Sequence, residues 1–374
     1  MPRTIDPAFI SAQFPTLSQM TYLNNASTGI PPRWCIEAMQ AYLDDRTHAI
    51  GDFEKTLKTF TRITKNLANL LGGSKEQYGF VGSTSMGLNS IAHAIEYPEG
   101  SNIVICDLEF PSNYIPWQNV SRLLGVELRV AETSDGAAPA SRFQELVDEN
   151  TRVVAVSHVQ FGTGYRSDLE ELAHIAHESD AILVADIIQS AGWADIDLKS
   201  WGVDFAAAQA AKWLVGPIGA GFVYVSNRIM DDLKPRFMGW WGVKDIADFT
   251  YFERESLPDA RMFQIGSPAM VAYVGFLASL EVLLKLDAST REEAAMQNAD
   301  YLRARLDELE IPYYDFGESH NSPIVSSAPD DVEEIQKRLA KEKIHCSVRN
   351  GRLRVSPHFY NTTHDIDRLA EHLG

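Results

Sequence analysis

The sequence predicts an α/β protein: a large domain built on a mostly parallel β-sheet, followed by a smaller C-terminal α+β domain. Three observations lead to this prediction. The chain has 374 residues, enough for two domains at roughly 150 residues each. In its middle, short runs of apolar residues alternate with helical patterns, as in a sheet that is buried on both faces. After about residue 255, long helical patterns come first and short strands follow.

The strands of the large domain are predicted where the apolar runs are short and rich in valine, isoleucine or phenylalanine. In chain order these runs cover residues 78–81, 102–106, 153–156, 182–185, 205–208 and 222–225. Between the third and fourth runs, Ser167-Asp-Leu-Glu170 has the pattern of a capping box, and apolar residues follow it at helical spacing. Strand, helix and strand in this order favour a parallel pairing.

The C-terminal part is predicted to contain helices over 268–285, 290–309 and 332–341, strands near 345–348 and 353–355, and a closing helix from Thr363. Ser267 and Pro268 have the pattern of an N-cap followed by proline in the first helical position. Glu281 ends the uncharged run in this helix, which leaves it too short to span a bilayer. We therefore divide the chain into an N-terminal arm (1–20), a large domain (21–255) and a small domain (256–374).

Composition argues against several classes of function. Lysine and arginine number 33 against 51 aspartates and glutamates, a net charge of −18, which disfavours binding to nucleic acid or to an anionic membrane surface. Three cysteines, Cys35, Cys106 and Cys346, lie far apart, so neither a metal site nor a disulfide framework is expected. The N-terminal segment has no apolar core of a signal peptide, and a cytoplasmic location is expected.

Polar residues stand where three of the predicted strands end: His158, Asp186 and Lys212. Because ligands collect at the carboxyl ends of parallel strands, these residues are candidates for a common site. Lys212 lies among alanines, Trp213 and Leu214, and burial of an amine lowers its pKa and makes it nucleophilic. The stretch 82–89 offers hydroxyls and a helix N-terminus for an anion. A lysine, a carboxylate and a phosphate cradle together form the set that pyridoxal phosphate (PLP) requires.

The sequence resembles the class V aminotransferase family of PLP enzymes, which includes cysteine desulfurases, selenocysteine lyases, kynureninase and isopenicillin N epimerase. The resemblance runs through eight ordered blocks: YLNNASTG (22–29), GSTSMGLN (82–89), EFPSNYIPW (109–117), SHVQFGTG (157–164), VADIIQSAG (184–192), GVDFAAAQAAKWLVGPIGAGFVYV (202–225), QIGSP (264–268) and VRNGRLRVSPHFYNTTHDIDRL (348–369). It implies a PLP-dependent enzyme with the transferase fold of type I, which acts on a free amino acid as a homodimer with shared active sites.

The resemblance also implies residue roles. Lys212 would carry PLP as a Schiff base and move the proton, Asp186 would pair with the pyridine nitrogen, and His158 would stack on the ring; these three are the expected catalytic residues. The remaining cofactor contacts would come from Gln189 at the ring oxygen and, at the phosphate, from Thr84, Ser85 and Ser267, the last reaching the neighbouring subunit. On the substrate side, Arg354 would bind the carboxylate and Asn25 would line the pocket.

The sequence departs from the family at several positions. Ala211 replaces a histidine that helps to bind phosphate in many relatives, and Gln209 is a loose candidate for the missing contact. Phe161 replaces an asparagine that is common three residues after the stacking histidine. The loop that carries the nucleophilic cysteine in one desulfurase branch is absent, because only three residues separate Asn350 from Arg354. A desulfurase that forms a persulfide on its own cysteine is therefore disfavoured.

The sequence favours transamination as the reaction, because Lys212 alone can move the proton that this reaction requires. The alternative is a lyase that expels a substituent from Cβ, such as a C–S lyase, or an epimerase. A non-catalytic protein that kept the fold is less favoured, with slight support from Ala211 and Phe161. A nucleotide-binding dehydrogenase is disfavoured because no G-x-G-x-x-G follows the early strands.

Overall fold

The computed structural model describes residues 5–48, 52–133, 135–248, 250 and 254–373. The α-helices in these ranges are α1 (Pro7–Gln13), α2 (Arg33–His48), α3 (Phe53–Leu71), α4 (Thr84–Ala92), α5 (Pro111–Leu124), α6 (Ala140–Gln144), α7 (Leu169–Glu178), α8 (Met270–Leu283), α9 (Ala288–Glu308), α10 (Val332–Lys341) and α11 (Thr363–Ala370). The strands are β1 (Thr21–Tyr22), β2 (Tyr78–Val81), β3 (Asn102–Cys106), β4 (Glu127–Ala131), β5 (Thr151–Ser157), β6 (Ile182–Asp186), β7 (Phe205–Gln209), β8 (Gly221–Val225), β9 (Val325–Ser327), β10 (Ile344–His345), β11 (Ser347–Arg349) and β12 (Arg352–Val355).

A seven-stranded sheet in the order β2-β8-β7-β6-β5-β3-β4 forms the centre of the described structure. Strands β7, β6, β5, β3 and β4 run parallel to one another, and β8 is antiparallel to both of its neighbours. The predicted α/β fold with a mostly parallel sheet is confirmed. The six predicted strands of this sheet are all found, within two residues of their predicted ends.

The sheet is buried on both faces, which explains why its strands are apolar without alternation. Along β5, Val154 and Val156 belong to one core, and Val153 and Ala155 belong to the other. Successive side chains of a strand point to opposite faces, so a strand that is covered on both sides needs apolar residues at every position. Continuous apolar runs are therefore the strongest indication of a buried strand in this sequence.

Three local predictions require correction. Strand β4 was not predicted, since Glu127 and Arg129 interrupt its apolar character at the edge of the sheet, where one side of the strand is open. Helix α7 is capped by Asp168, which accepts from the backbone N–H of Glu171, and not by the expected box that begins at Ser167. Helix α8 starts at Met270, beyond the Ser267-Pro268 pair that was expected to cap it.

The C-terminal helices and strands are found close to the predicted positions. An antiparallel sheet in the order β11-β12-β9 packs with α9, α10 and α11 around a separate apolar core. Strand β1, however, pairs in parallel with β10, so the chain after residue 20 joins the C-terminal elements. The boundaries 1–20, 21–255 and 256–374 stay a prediction. No helix in the described ranges combines the length and apolar character needed to cross a bilayer.

Two glycines let the backbone approach the segment that carries Lys212. A Cβ on Gly29 would lie 1.9 Å from the carbonyl oxygen of Lys212, and one on Gly192 would lie 2.1 Å from that of Trp213. Gly192 also has φ +119°, a conformation that residues with a side chain rarely adopt. Any side chain at either position would push the lysine segment out of place.

We expect Gly192→Ala to lower the free energy of unfolding by about 3 kcal/mol, because backbone strain and a steric clash add together. The matched control is Gly125→Ala, which also has positive φ (+72°) but open space around the new Cβ, and should cost only about 1 kcal/mol. Urea unfolding of both variants measures the difference. Equal destabilisation would contradict the close approach to Trp213.

Candidate active site

A cavity of about 230 Å³ lies at the carboxyl ends of β6 and β7. It brings together seven of the residues that the sequence singled out: Thr84, Ser85, Asp186, Gln189, Gln209, Lys212 and Arg354. It also brings in residues that the sequence did not assign to the site: Ser27, Ser83, Phe110, Ser112, Phe161 and Arg349. The expectation that strand ends share a site is thus met for Asp186 and Lys212.

Lys212 lies three residues after β7, on a turn, and its side-chain amine reaches the cavity. Its Nζ is 5.7 Å from the ring centroid of Phe110. Burial lowers the pKa of Lys212, the guanidinium groups of Arg354 and Arg349 lower it further, and the Asp186 carboxylate opposes both. The amine is therefore neutral in a larger fraction of molecules than an exposed lysine, which suits a nucleophile or a base.

The turn after Lys212 is held in an unusual conformation. Val215 is fully buried and has φ +48°, which is rare for a β-branched residue. Its N–H donates to the carbonyl oxygen of Lys212 at 3.0 Å, and its own carbonyl accepts from the hydroxyl of Ser279 at 3.2 Å. Contacts from outside the turn therefore fix the backbone from which Lys212 projects.

Asp186 is the last residue of β6 and is 2% exposed. One carboxylate oxygen accepts from the backbone N–H of Ile188 at 2.9 Å. Burial raises the pKa of Asp186, and the Ile188 N–H and the cation of Lys212 lower it again. A buried carboxylate in this position favours a positively charged hydrogen-bond donor in the cavity.

The hydroxyl end of the cavity is formed by the first turn of α4. Ser83 is the N-cap of that helix and accepts from the N–H of Met86, while Thr84 and Ser85 are its first two residues. Thr84 is 3% exposed, and its Oγ1 has no hydrogen-bond partner among the described residues. A buried hydroxyl without a partner costs free energy, so this atom is suited to a bound ligand. The positive end of the helix dipole favours an anion here.

Arg354 forms the opposite end of the cavity. It projects from β12 and is 2% exposed, and its two terminal nitrogens donate to the carbonyl of Phe161 and to the hydroxyl of Ser27, each at 2.7 Å. Its Nε has no partner among the described residues. Burial lowers the pKa of Arg354 to about 10, so the group is still cationic at neutral pH. A buried cation with a free donor fits a carboxylate ligand.

Three of the predicted site residues do not line this cavity. His158 is buried and hydrogen-bonded through Nδ1 to Ser190, and burial holds its pKa well below the usual range, so the ring is neutral. Asn25 donates to the carbonyl of Ser356 and accepts from Tyr360, which occupies both ends of its carboxamide. Ser267 is exposed and lines a different cavity.

Gln189 lines the cavity, but both ends of its carboxamide are already bonded within the chain. Its Nε2 donates to the carbonyl of Ala26 at 3.0 Å, and its Oε1 accepts from the indole of Trp213 at 2.8 Å. The side chain therefore connects the segment before Ser27 with the residue after Lys212. The contact expected between Gln189 and a cofactor ring oxygen stays a prediction.

The missed residues had a detectable signal, because all six of them lie in the blocks of resemblance. Ser27 lies in YLNNASTG and Arg349 in VRNGRLRV, both among the blocks of resemblance. Arg349 and Arg354 are five residues apart on either side of the turn between β11 and β12, so both can reach the same cavity. Phe110 and Ser112 lie in a third block, EFPSNYIPW, but nothing in that block indicates that they reach the site, since only the fold brings the start of α5 beside α4.

The residues present fit PLP. The amine of Lys212 suits its aldehyde, the carboxylate of Asp186 suits its pyridinium nitrogen, and the unpartnered hydroxyl of Thr84 at a helix N-terminus suits its phosphate. Each end of the cavity has the charge that the corresponding part of the cofactor requires.

Comparisons with known proteins agree with this fit. The family model described as aminotransferase class-V matches residues 21–369. A probable cysteine desulfurase of Methanothermobacter thermautotrophicus is 27% identical over 97% of this chain and 96% of its own length. An uncharacterized aminotransferase of Bacillus subtilis, YcbU, is 29% identical over 96% and 95%.

Among solved structures, the cystine C–S lyase C-DES has a similar fold. Its complex with cysteine persulfide aligns with a TM-score of 0.88 and 22% identity, covering 96% of this chain and 99% of that one. A mutant of C-DES carries glycine covalently linked to the PLP cofactor. With the family model matching almost the whole chain, this protein belongs to the class V aminotransferase family of PLP-dependent enzymes.

Proposed function

We propose that the protein is a PLP-dependent C–S lyase, which cleaves the Cβ–S bond of a cysteine-derived amino acid such as cystine. One observation carries the proposal over a desulfurase that forms a persulfide on its own cysteine: among the described residues, the cavity is lined by a buried amine and two guanidinium groups, but by no thiol. The set suits removal of a proton from Cα and release of a sulfur group, without transfer of sulfur to the protein. This is the lyase that the sequence left as the alternative to transamination.

The cofactor is proposed to lie between α4 and Asp186. When bound, PLP supplies an aldehyde for the substrate amine and a ring that takes up the electron pair released at Cα. Thr84, Ser85 and Gln209 bind the phosphate. Asp186 would keep a proton on the pyridine nitrogen, and His158 would act behind it, through the hydrogen bond from its backbone N–H to the carbonyl of Asp186 at 2.9 Å. Lys212 serves as the base that takes the Cα proton.

Arg354 is proposed to bind the α-carboxylate of the substrate. Its guanidinium is held on both sides, by the Phe161 carbonyl and the Ser27 hydroxyl, so its orientation is fixed before a ligand arrives. A fixed, buried guanidinium places the α-carboxylate and thereby determines which bond of Cα faces Lys212. Asn25 acts behind this site, through its hydrogen bonds to Ser356 and Tyr360.

Arg349 is proposed to bind a second anionic group of the substrate. It lines the same cavity, and one of its nitrogens lies 3.4 Å from the Ser27 hydroxyl that also contacts Arg354. With Lys212, the cavity lining has three basic side chains against one carboxylate, that of Asp186. Cystine carries two carboxylates, so one molecule can pair with both arginines.

The cysteines are poorly placed for a persulfide-forming mechanism. Cys35 and Cys106 are buried, Cys346 is partly buried, and none of them lines the cavity. Burial raises the pKa of the Cys346 thiol to about 12, so the nucleophilic thiolate is scarce at neutral pH. The sulfur is instead proposed to leave with the Cβ–S electron pair and to take up a proton.

The proposed reaction is balanced without an oxidant or reductant. Cystine and one water give cysteine persulfide, pyruvate and ammonia: the Cα–H and Cβ–S bonds break, and water hydrolyses the three-carbon fragment. The probable cysteine desulfurase among the relatives and the C–S lyase among the structures support a reaction at a C–S bond, although another relative is named as an aminotransferase. The family resemblance further supports a homodimer, in which Ser267 contacts the phosphate bound by the partner subunit.

We expect L-cystine to give pyruvate and ammonia in equal amounts, with no requirement for a keto acid. Lys212→Ala should lower this rate roughly 1,000-fold, because it removes the base at Cα. Coupled lactate dehydrogenase and ammonia assays measure the two products.

Transamination makes the opposite prediction for the same assays. If cystine consumption stops after about one equivalent without release of pyruvate or ammonia, and resumes only on addition of a keto acid, the lyase proposal is wrong and transamination becomes the favoured reaction. S-Methylcysteine is tested as a second substrate of the wild-type protein. Comparison of the two substrates distinguishes a poor leaving group from a lack of lyase activity.

Cys346→Ala should retain at least about half of the wild-type rate with cystine, since no thiol takes part in the proposed reaction. The side chain is only partly buried, so the fold should tolerate the change. Initial rates of pyruvate release and thermal melting check both expectations. A well-folded Cys346→Ala variant without activity would overturn the proposal.

Arg349→Ala should raise the KM for cystine roughly fivefold, because one exposed charge-assisted contact to the second carboxylate is lost. The KM for S-methylcysteine, which lacks that carboxylate, should not change. Arg354→Ala is the matched variant and should raise the KM for both substrates. An equal effect of Arg349→Ala on the two substrates would rule out recognition of a second carboxylate.

A further inference from the structure

We propose that Ser112 is a further phosphate-binding residue of this site, which replaces the donor that Ala211 cannot supply. The inference rests on the proposed position of the cofactor phosphate at α4. It concerns a residue on a different helix, α5, which neither the motifs nor the family resemblance assigned to the cofactor.

The N-termini of two helices meet at this end of the cavity. Ser85 is the second residue of α4, Ser112 is the second residue of α5, and the two helices pack against each other. The hydroxyl oxygens of Ser85 and Ser112 are 2.7 Å apart, and both residues line the cavity. The positive ends of two helix dipoles therefore act on the same small volume.

A second observation points to a ligand at this place. The Oγ1 atom of Thr84, next to Ser85, is buried and has no partner among the described residues. Thr84 is also 97% buried, and the cavity offers the space for a bound oxygen atom. The Thr84 hydroxyl can therefore form a hydrogen bond with a bound ligand, since the described residues offer it no partner.

The hydroxyl pair can present one proton to an anion in either arrangement. If Ser112 donates to Ser85, the Ser85 proton is free; if Ser85 donates to Ser112, the Ser112 proton is free. A phosphate oxygen can also draw both protons, because a hydrogen bond to a charged acceptor is stronger than one between neutral hydroxyls. In each case Ser112 adds to the binding of phosphate, directly or through Ser85.

Ala211 explains why an additional donor is useful here. Its side chain is a methyl group, so it cannot donate to phosphate from the position before Lys212. Gln209 lines the cavity from the end of β7, and Ser112 lies across from it at the start of α5. The proposed hydrogen-bond donors to the phosphate thus come from one strand and two helices.

The test compares the affinity of the apoprotein for PLP and for pyridoxal, which lacks the phosphate. Ser112→Ala should raise the dissociation constant of PLP roughly tenfold and leave that of pyridoxal unchanged. Ser112→Thr, which keeps the hydroxyl, should restore the affinity for PLP. The matched control is Ser121→Ala, which removes a hydroxyl from the same helix, well away from the cavity.

Absorbance titration of each apoprotein gives the dissociation constants. The inference is overturned if Ser112→Ala binds PLP as tightly as wild type, or if it weakens PLP and pyridoxal equally. No substrate enters this experiment, so failure of the lyase proposal leaves the result unaffected. Loss of PLP binding by the wild-type protein would instead contradict the placement of the cofactor.

Discussion

The site depends on one constraint: charged groups are buried away from water at the carboxyl edge of the central sheet. Lys212, Asp186 and Arg354 are enclosed by apolar strands and by the turn that contains Val215. Burial shifts the pKa of each group in the direction that favours its neutral form, and the attraction between Lys212 and Asp186 offsets part of that cost for these two. A ligand with a phosphate, a ring nitrogen and a carboxylate supplies the missing partners, so binding and catalysis draw on the same electrostatics.

The cavity is basic although the chain as a whole is acidic. The chain carries a net charge of −18, yet lysine and arginine side chains outnumber the single carboxylate that lines the cavity. A cleft lined by charges of one sign concentrates field lines, so the local field in the cavity favours small anionic ligands despite the net negative charge of the chain.

The sequence predicted those features that depend on neighbours along the chain. Continuous apolar runs gave the strands, and the residues after them gave Asp186 and Lys212, because strand ends and their following residues are local properties. Strand β4 was missed since an edge strand can tolerate Glu127 and Arg129. Ser112 and Phe110 were missed for another reason: their distance from Ser85 and Lys212 is set by packing between α4, α5 and the turn after β7.

The parallel pair of β1 and β10 has a consequence for the order in which the site can be assembled. It joins a segment near residue 21 to one near residue 345 and brings Ser27 to Arg354. A ribosome makes β1 first, and β1 has no partner strand until β10 has been synthesised near the end of the chain. The residues that line the cofactor half of the cavity, from Thr84 to Lys212, are all synthesised before β10, which begins at Ile344. The cofactor-binding residues of a nascent chain are therefore all made before the arginine proposed to hold the substrate, so the two halves of the site become available in a fixed order.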